Sequence, residues 1–338
     1  MKVPLIFLAA LLSAGAVAQV GNGKADDTAA IQYLLDRQGK VGGIVKLRRP
    51  AKFYRITRTL KIGRSIGLRF LGSGGENTRI VMDGDNRPII AFVEDNTHSF
   101  TLQDLTLEYA RPQSATEDPR SSAVAYLNRT GKSSGSGLYR HIYRNLWILN
   151  ATRGFSVIRE AEGDTDSVNP WWGSRWERIV FQNTARSLVD LNLGRTGAPC
   201  NLFTEILTMK GGNDGKAAAF VLRGEAIMRA IDVEDWTGQL LYAPSFGYIT
   251  LNGLHIERHR TGTARDPRLI EVYNGKFDGS GWTINYVPNE SNATVLYLGS
   301  GATGDARAVN VKSPGMSVQT VERAAEKRTS GVLRIRRG

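Results

Sequence analysis

The chain reads as an all-β protein, a parallel β-helix, and three observations lead there. Apolar residues recur in pairs separated by a single residue, the pairs return at irregular intervals near 25 residues, and a second short alternating segment follows each pair. The pairs are Leu105/Leu107, Leu146/Ile148, Ile179/Phe181, Ile206/Thr208, Ile231/Val233, Leu254/Ile256, Trp282/Ile284 and Val309/Val311. Their first members stand 41, 33, 27, 25, 23, 28 and 27 residues apart. Alternation is the signature of a strand with one buried face. Units of this length suit coils of three short strands, whose loops bulge outward without disturbing the stack. A propeller blade needs four strands and around 40 residues, more than most of these intervals supply. The expected architecture is a solenoid of about ten coils.

In chain order, the first element is an export signal. Lys2 gives a positive start, Val3 to Leu12 an apolar run, and Ala16-Val17-Ala18 a small-residue cleavage site. Residues 1–18 are therefore expected to be removed, leaving 19–338 as one domain that is secreted or periplasmic, with no membrane association in the mature form. Next comes Gly21-Asn22-Gly23-Lys24-Ala25-Asp26-Asp27-Thr28, which opens a short helix over about 27–38. Asp27 or Thr28 is suited to cap it, and Ile31, Leu34 and Leu35 fall on one face. So short a helix needs a surface to cover. The open edge of the first coil, which would otherwise pair with another chain, is that surface.

The run G-N-G-K-A-D-D-T-A-A-I-Q at 21–32, followed by Gly42-Gly43-Ile44-Val45-Lys46-Leu47 and Tyr54-Arg55-Ile56, resembles the N-terminal signature of the pectate-lyase-like superfamily. The resemblance spans roughly residues 21 to 82. It implies a single-stranded right-handed parallel β-helix of the kind found in secreted polysaccharide-degrading enzymes and phage tailspikes. Asn22 stands where that family usually has Asp, and Pro50-Ala51-Lys52-Phe53-Tyr54 replaces its Pro-x-Gly-x-Tyr turn. Neither stretch is catalytic in the family, so the resemblance speaks to fold and leaves the reaction open.

The second strands include Ser156-Val157-Ile158-Arg159, Leu188-Val189-Asp190-Leu191, Phe220-Val221-Leu222-Arg223, Leu240-Leu241-Tyr242 and Ile270-Glu271-Val272-Tyr273. In a parallel stack the same station of successive coils repeats about every 4.8 Å, so outward residues form ladders. Alternation turns Asp190, Arg223, Tyr242, Glu271 and Tyr273 outward. Asp190, Arg223 and Glu271 are candidate catalytic groups, with Tyr242 and Tyr273 beside them for substrate. The competing reading is an ordinary solvated strand face.

A second constellation is the loop Glu160-Ala161-Glu162-Gly163-Asp164-Thr165-Asp166, followed by Trp171-Trp172. Asp164 and Asp166 offer carboxylates for acid-base work or for calcium, and Trp171 and Trp172 offer faces for stacking on a sugar. No other cofactor is implied. The long segments 111–121, 129–137 and 160–172 are rich in Ser, Gly, Pro and charge, and loops of this kind on one side of a stack would wall a groove suited to a polymer.

A formal net charge of +12, or +11 without Lys2, is spread along the chain. It favours an anionic polymer. An exported chain with no nucleic-acid module points to a polysaccharide rather than to nucleic acid. Cys200 is the single cysteine, so no internal disulfide forms. The expected activity is binding and cleavage of an acidic polysaccharide, by a lyase or a glycoside hydrolase. The alternative is a tailspike-like protein that binds glycan without cleaving it. Either a monomer or a homotrimer suits the fold.

Overall fold

The computed structural model describes residues 20–114, 120–128, 137–159, 171–191, 200–212, 218–244, 247–260, 262, 267–286, 293–312 and 318–323. Residues 1–18, where an export signal is expected, lie outside them. Among the described residues the strands form three parallel sheets, of twelve, ten and three strands. The chain winds into a parallel β-solenoid of about eight turns, slightly fewer than the ten expected, with one short helix.

The first sheet carries the apolar pairs in one register. Leu105 pairs with Leu146, then Ile179, Ile206, Ile231, Leu254, Trp282 and Val309 follow rung by rung. All but the last are buried, and Val309 and Val311 pack on the edge of the core. The second sheet is built from the predicted second strands, among them Ser122–Asn128, Arg153–Arg159, Ser187–Asp190, Phe220–Val221, Leu241–Ala243 and Arg268–Val272. The third is short: Thr97–His98, Leu138–Tyr139 and Trp171–Trp172.

Three columns of left-handed residues bend each coil. Asp104, Asn145, Arg178, Glu205, Ala230, Gly253, Gly281 and Ala308 all have positive φ and share one station of the first sheet. A single residue in this conformation redirects a strand without a loop. A second column, Gly67, Ser99, Arg140, Gly173 and Cys200, sits just before the first sheet begins. A third, Asn150, Asn183, Lys210, Asp235 and Arg258, ends it. Side-chain amides brace these corners: Asn145 donates to Asp104 at 2.7 Å, and Asn183 donates to Asn150 at 3.2 Å.

The helix Thr28–Gly39 lies across the first coil and buries Ala30, Ile31 and Leu35. Its cap differs from expectation. Asp27 is at the N-cap position but makes no side-chain cap bond. Its carboxylate instead accepts the backbone N–H of Val20 at 2.7 Å and of Gly21 at 3.2 Å. Asp26 does the capping, accepting from Thr28 N at 3.0 Å and from the Thr57 hydroxyl at 2.7 Å. Burial opposes its charge, but the Thr28 and Thr57 bonds outweigh that and hold its carboxyl down to about 2.

Candidate functional site

The outward ladder of the second sheet forms as a register but not as one reacting group. Asp190, Val221, Tyr242, Glu271 and Tyr297 occupy one station of successive rungs. Val221 therefore separates Asp190 from the rest. Three rungs at about 4.8 Å put Asp190 and Glu271 about 14 Å apart along the stack. The carboxylate pair of a glycoside hydrolase needs about 5 to 9.5 Å. Asp190 is paired with Arg153 at 3.0 Å. Glu271 accepts from Arg268 at 2.6 Å, from the Tyr273 hydroxyl at 2.6 Å and from Gln239 at 2.9 Å. Arg268 also lies over the Tyr297 ring, 3.4 Å from its centroid. Burial, together with the bond to Glu271, pushes the Tyr273 hydroxyl well above its usual range. Tyr242 faces outward beside Tyr273, with ring centroids 6.4 Å apart. Arg223 lies just past the strand Phe220–Val221 and is half-buried. The arrangement braces neighbouring coils, since each donor is committed to a carboxylate of its own face.

The second constellation is divided by strand alternation. Asp164 and Asp166, offered for acid-base work or for calcium, fall outside the described residues. Trp171 corrects the stacking expectation: it is completely buried, packed against Tyr143, Phe155 and Trp176. No face of its ring is left for a ligand. Trp172, the next residue, points the other way and is 43% exposed.

Trp172 belongs to an aromatic ladder that runs down the third sheet. His98, Tyr139 and Trp172 are in register on successive rungs. His98 and Tyr139 are stacked, with centroids 4.6 Å apart, and Trp172 meets Tyr139 edge-on at 5.8 Å. The residues that follow them, Ser99, Arg140 and Gly173, are the left-handed corner column, and that corner opens into a cleft of about 960 Å³. Arg140, Arg175 and Arg229 line it, together with Cys200, Glu225, Ile227 and Tyr248. Arg175, Leu202, Ile227 and Thr250 share one station of the first sheet, and Glu225 and Tyr248 are in register two residues earlier.

Charge in the cleft is one-sided. Arg140, Arg175 and Arg229 are exposed, and among the described residues no carboxylate pairs with their guanidinium groups. Glu225, the one acid lining the cleft, accepts the Cys200 thiol at 3.2 Å. That bond, with burial, pushes the thiol upward and keeps it protonated. Tyr248 and Ile227 are 65% and 42% exposed. Sequence reasoning missed this group, although its signal was present. Arg175, Leu202 and Ile227 each stand four residues before the first member of an apolar pair, so the pair register already aligns them.

The chain matches no family model and no curated protein sequence. Among solved structures it is similar to the gp42 tailspike of Acinetobacter phage vb_AbaP_AS12, at 13% identity and a TM-score of 0.55, over 92% of this chain and 62% of that one. It is similar to PfbA, a surface adhesin of Streptococcus pneumoniae, at 10% identity and a TM-score of 0.52, over 90% of each chain. The A-module of the Azotobacter vinelandii mannuronan C-5 epimerase AlgE4 matches at 14% identity and a TM-score of 0.51, over 91% of this chain and 98% of that one. The chain thus spans about three fifths of the tailspike. At these identities the likeness is one of fold.

Proposed function

We propose that this is an exported β-helix of the pectate-lyase-like kind that binds an acidic polysaccharide along the cleft at its second corner and acts on it. One observation carries the reading. Arg140, Arg175 and Arg229 come from separate coils and are gathered, unpaired among the described residues, into a single cleft. Unpaired guanidinium groups in a groove attract polyanions, and their planar fork suits carboxylates. The ladder His98–Tyr139–Trp172 beside them supplies apolar faces for sugar rings. An epimerase of mannuronan, itself an acidic polysaccharide, has the same fold. This supports the reading by analogy alone.

The test is binding to polygalacturonate, alginate and hyaluronan, with dextran as the neutral control, at low and physiological salt. Wild-type protein is expected to retain the acidic polymers and not dextran, with affinity falling as salt rises. Arg140→Ala combined with Arg175→Ala is expected to weaken binding about tenfold or more, near 1.4 kcal/mol. Equal retention of dextran, or full affinity in the double variant, would remove the cleft from consideration.

A further inference from the structure

The positive excess of the chain is densest where the stack begins. Residues 20–80 hold thirteen Lys and Arg against four Asp and Glu, an excess of nine where the whole chain has twelve. Large apolar residues crowd the same end. Of the eight that are exposed among the described residues, Val20, Tyr33, Val41, Ile44 and Ile66 fall within residues 20–66.

Register gathers three of these into one patch. Ile44 pairs with Arg69, and Arg69 N donates to Gly43 O at 3.0 Å. Carried back along both strands, that register sets the corner residues Gly42 and Gly67, both at positive φ, side by side, and Val41 beside Ile66. The two backbones are in contact there, since a Cβ on Gly42 would lie 2.1 Å from Ile66 O. Val41 and Ile66 thus flank one side of the second corner and Ile44 the other, and they are 76%, 65% and 52% exposed. Lys40, Lys46, Arg64 and Arg69 surround them. Arg55 and Arg79 are paired with Asp83 and Glu108, whereas these four are exposed and have no carboxylate partner among the described residues. Tyr33, Arg37 and Lys40 extend the patch at i, i+4 and i+7 along the solvent face of the helix and its C-cap, which leads into Val41.

A contiguous apolar patch rimmed by polar groups marks an interaction surface. Its two components together select the partner. A second copy of the chain would bring the same cations face to face, and a polyanion would engage the cations while leaving three aliphatic side chains in water. The headgroup region of an anionic bilayer accepts both, because apolar side chains enter the interface while Lys and Arg meet the phosphates.

We propose that this end of the stack docks on the surface of an anionic phospholipid bilayer, with Val41, Ile44 and Ile66 entering between headgroups and Lys40, Lys46, Arg64 and Arg69 against their phosphates. The assignment departs from the absence of membrane association expected from the sequence, and it stands independently of the polysaccharide reading. Ile66 pairs with His98 and His98 with Tyr139. Arg140, the nearest arginine of the cleft, therefore lies two rungs past the patch, about 10 Å along the stack. Docking leaves the cleft open.

The experiment floats the exported form, residues 19–338, with vesicles of phosphatidylglycerol and phosphatidylethanolamine and, as the zwitterionic control, of phosphatidylcholine, at low and physiological salt. Wild type is expected to float with the anionic vesicles and not with the control, more weakly as salt rises. Arg64→Gln combined with Arg69→Gln is expected to weaken binding by about fivefold for each charge removed. Val41→Ser combined with Ile66→Ser, which keeps every charge, is expected to weaken it about tenfold. All four residues are exposed, so melting temperatures should not move. None of them lines the arginine cleft, so retention of acidic polysaccharides by both variants, measured in parallel, separates a failure of this assignment from a failure of the cleft reading. A wild type that ignores the anionic vesicles, or binds both kinds equally, overturns the proposal. Full binding by the Val41→Ser, Ile66→Ser variant also overturns it, reducing the patch to a contact for polyanions. A wild-type dimer in sedimentation that the same variant dissolves would assign the patch to a second copy instead.

Discussion

Trp171 and Trp172 show how much one step along a strand decides. The two are adjacent and chemically identical, yet the first is sealed in the core and the second lies on the surface. The pair was legible as strand only after its parity was known, because Trp-Trp carries no alternation of its own. Histidines divide the same way. His255 is accessible, whereas His141 and His259 are buried. Burial holds both buried rings down to about 3. His141 stays neutral between Thr97 O at 3.0 Å and the Tyr143 hydroxyl at 2.9 Å. The unfolded chain, with histidines near 6.5, therefore binds protons that the folded chain refuses between about pH 6.5 and 3. Their contribution is complete above pH 6.5 and drains away as the pH falls toward 3, by about 1.4 kcal/mol per histidine per unit. Urea midpoints measured at pH 7, 5.5 and 4.5 are expected to drop steadily, and the combined His141→Gln and His259→Gln variant to show a flatter profile. A flat wild-type profile would contradict the burial of these rings.

Among the elements, the corner columns were the least legible part of the fold and the apolar pairs the most. Pairs announce themselves because a buried face must repeat every second residue. Corners do not, because Arg178, Glu205 and Ala230 are ordinary residues adopting a conformation in which side chains other than Asn, Asp or Gly are uncommon. The same gap explains the missed cleft, whose arginines meet only after the corners fold four consecutive coils into register. The columns yield a paired prediction. Ala230→Gly relieves roughly 1–2 kcal/mol of left-handed strain, against about 0.4–1 kcal/mol of added freedom in the unfolded chain. A modest gain in stability is expected. Gly275→Ala should do the reverse. A Cβ there would lie 2.2 Å from the carbonyl oxygen of Gly247 in the next rung, a contact that backbone cannot yield. A loss of about 1–3 kcal/mol is expected, and thermal melts of the two variants should shift in opposite directions.

At the scale of the whole molecule, the stack has ends that a closed barrel lacks. The N-terminal end is covered in the way the sequence foretold, by a helix laid on the first coil. Gln32 reaches down from it and uses its amide as a substitute strand, donating to Lys61 O at 2.8 Å and accepting from Lys61 N at 2.7 Å. Deleting residues 21–38 uncovers Leu60–Ile62 and the strand Ile44–Lys46, and a concentration-dependent rise in light scattering is expected as edges pair between molecules. A truncated protein that stays monomeric at ordinary concentration would show the helix to be dispensable.

The arginines of the cleft come from three separate rungs of the stack, not from a single loop, and this ties grip to chain length. Inserting one whole coil between residues 175 and 229 would leave every neighbouring register intact, since each coil touches only those beside it, and would lengthen the cleft by about 4.8 Å. The protein is in this sense a ruler, and the reach of its hold on a polymer can be changed by adding or removing graduations without redrawing the rest.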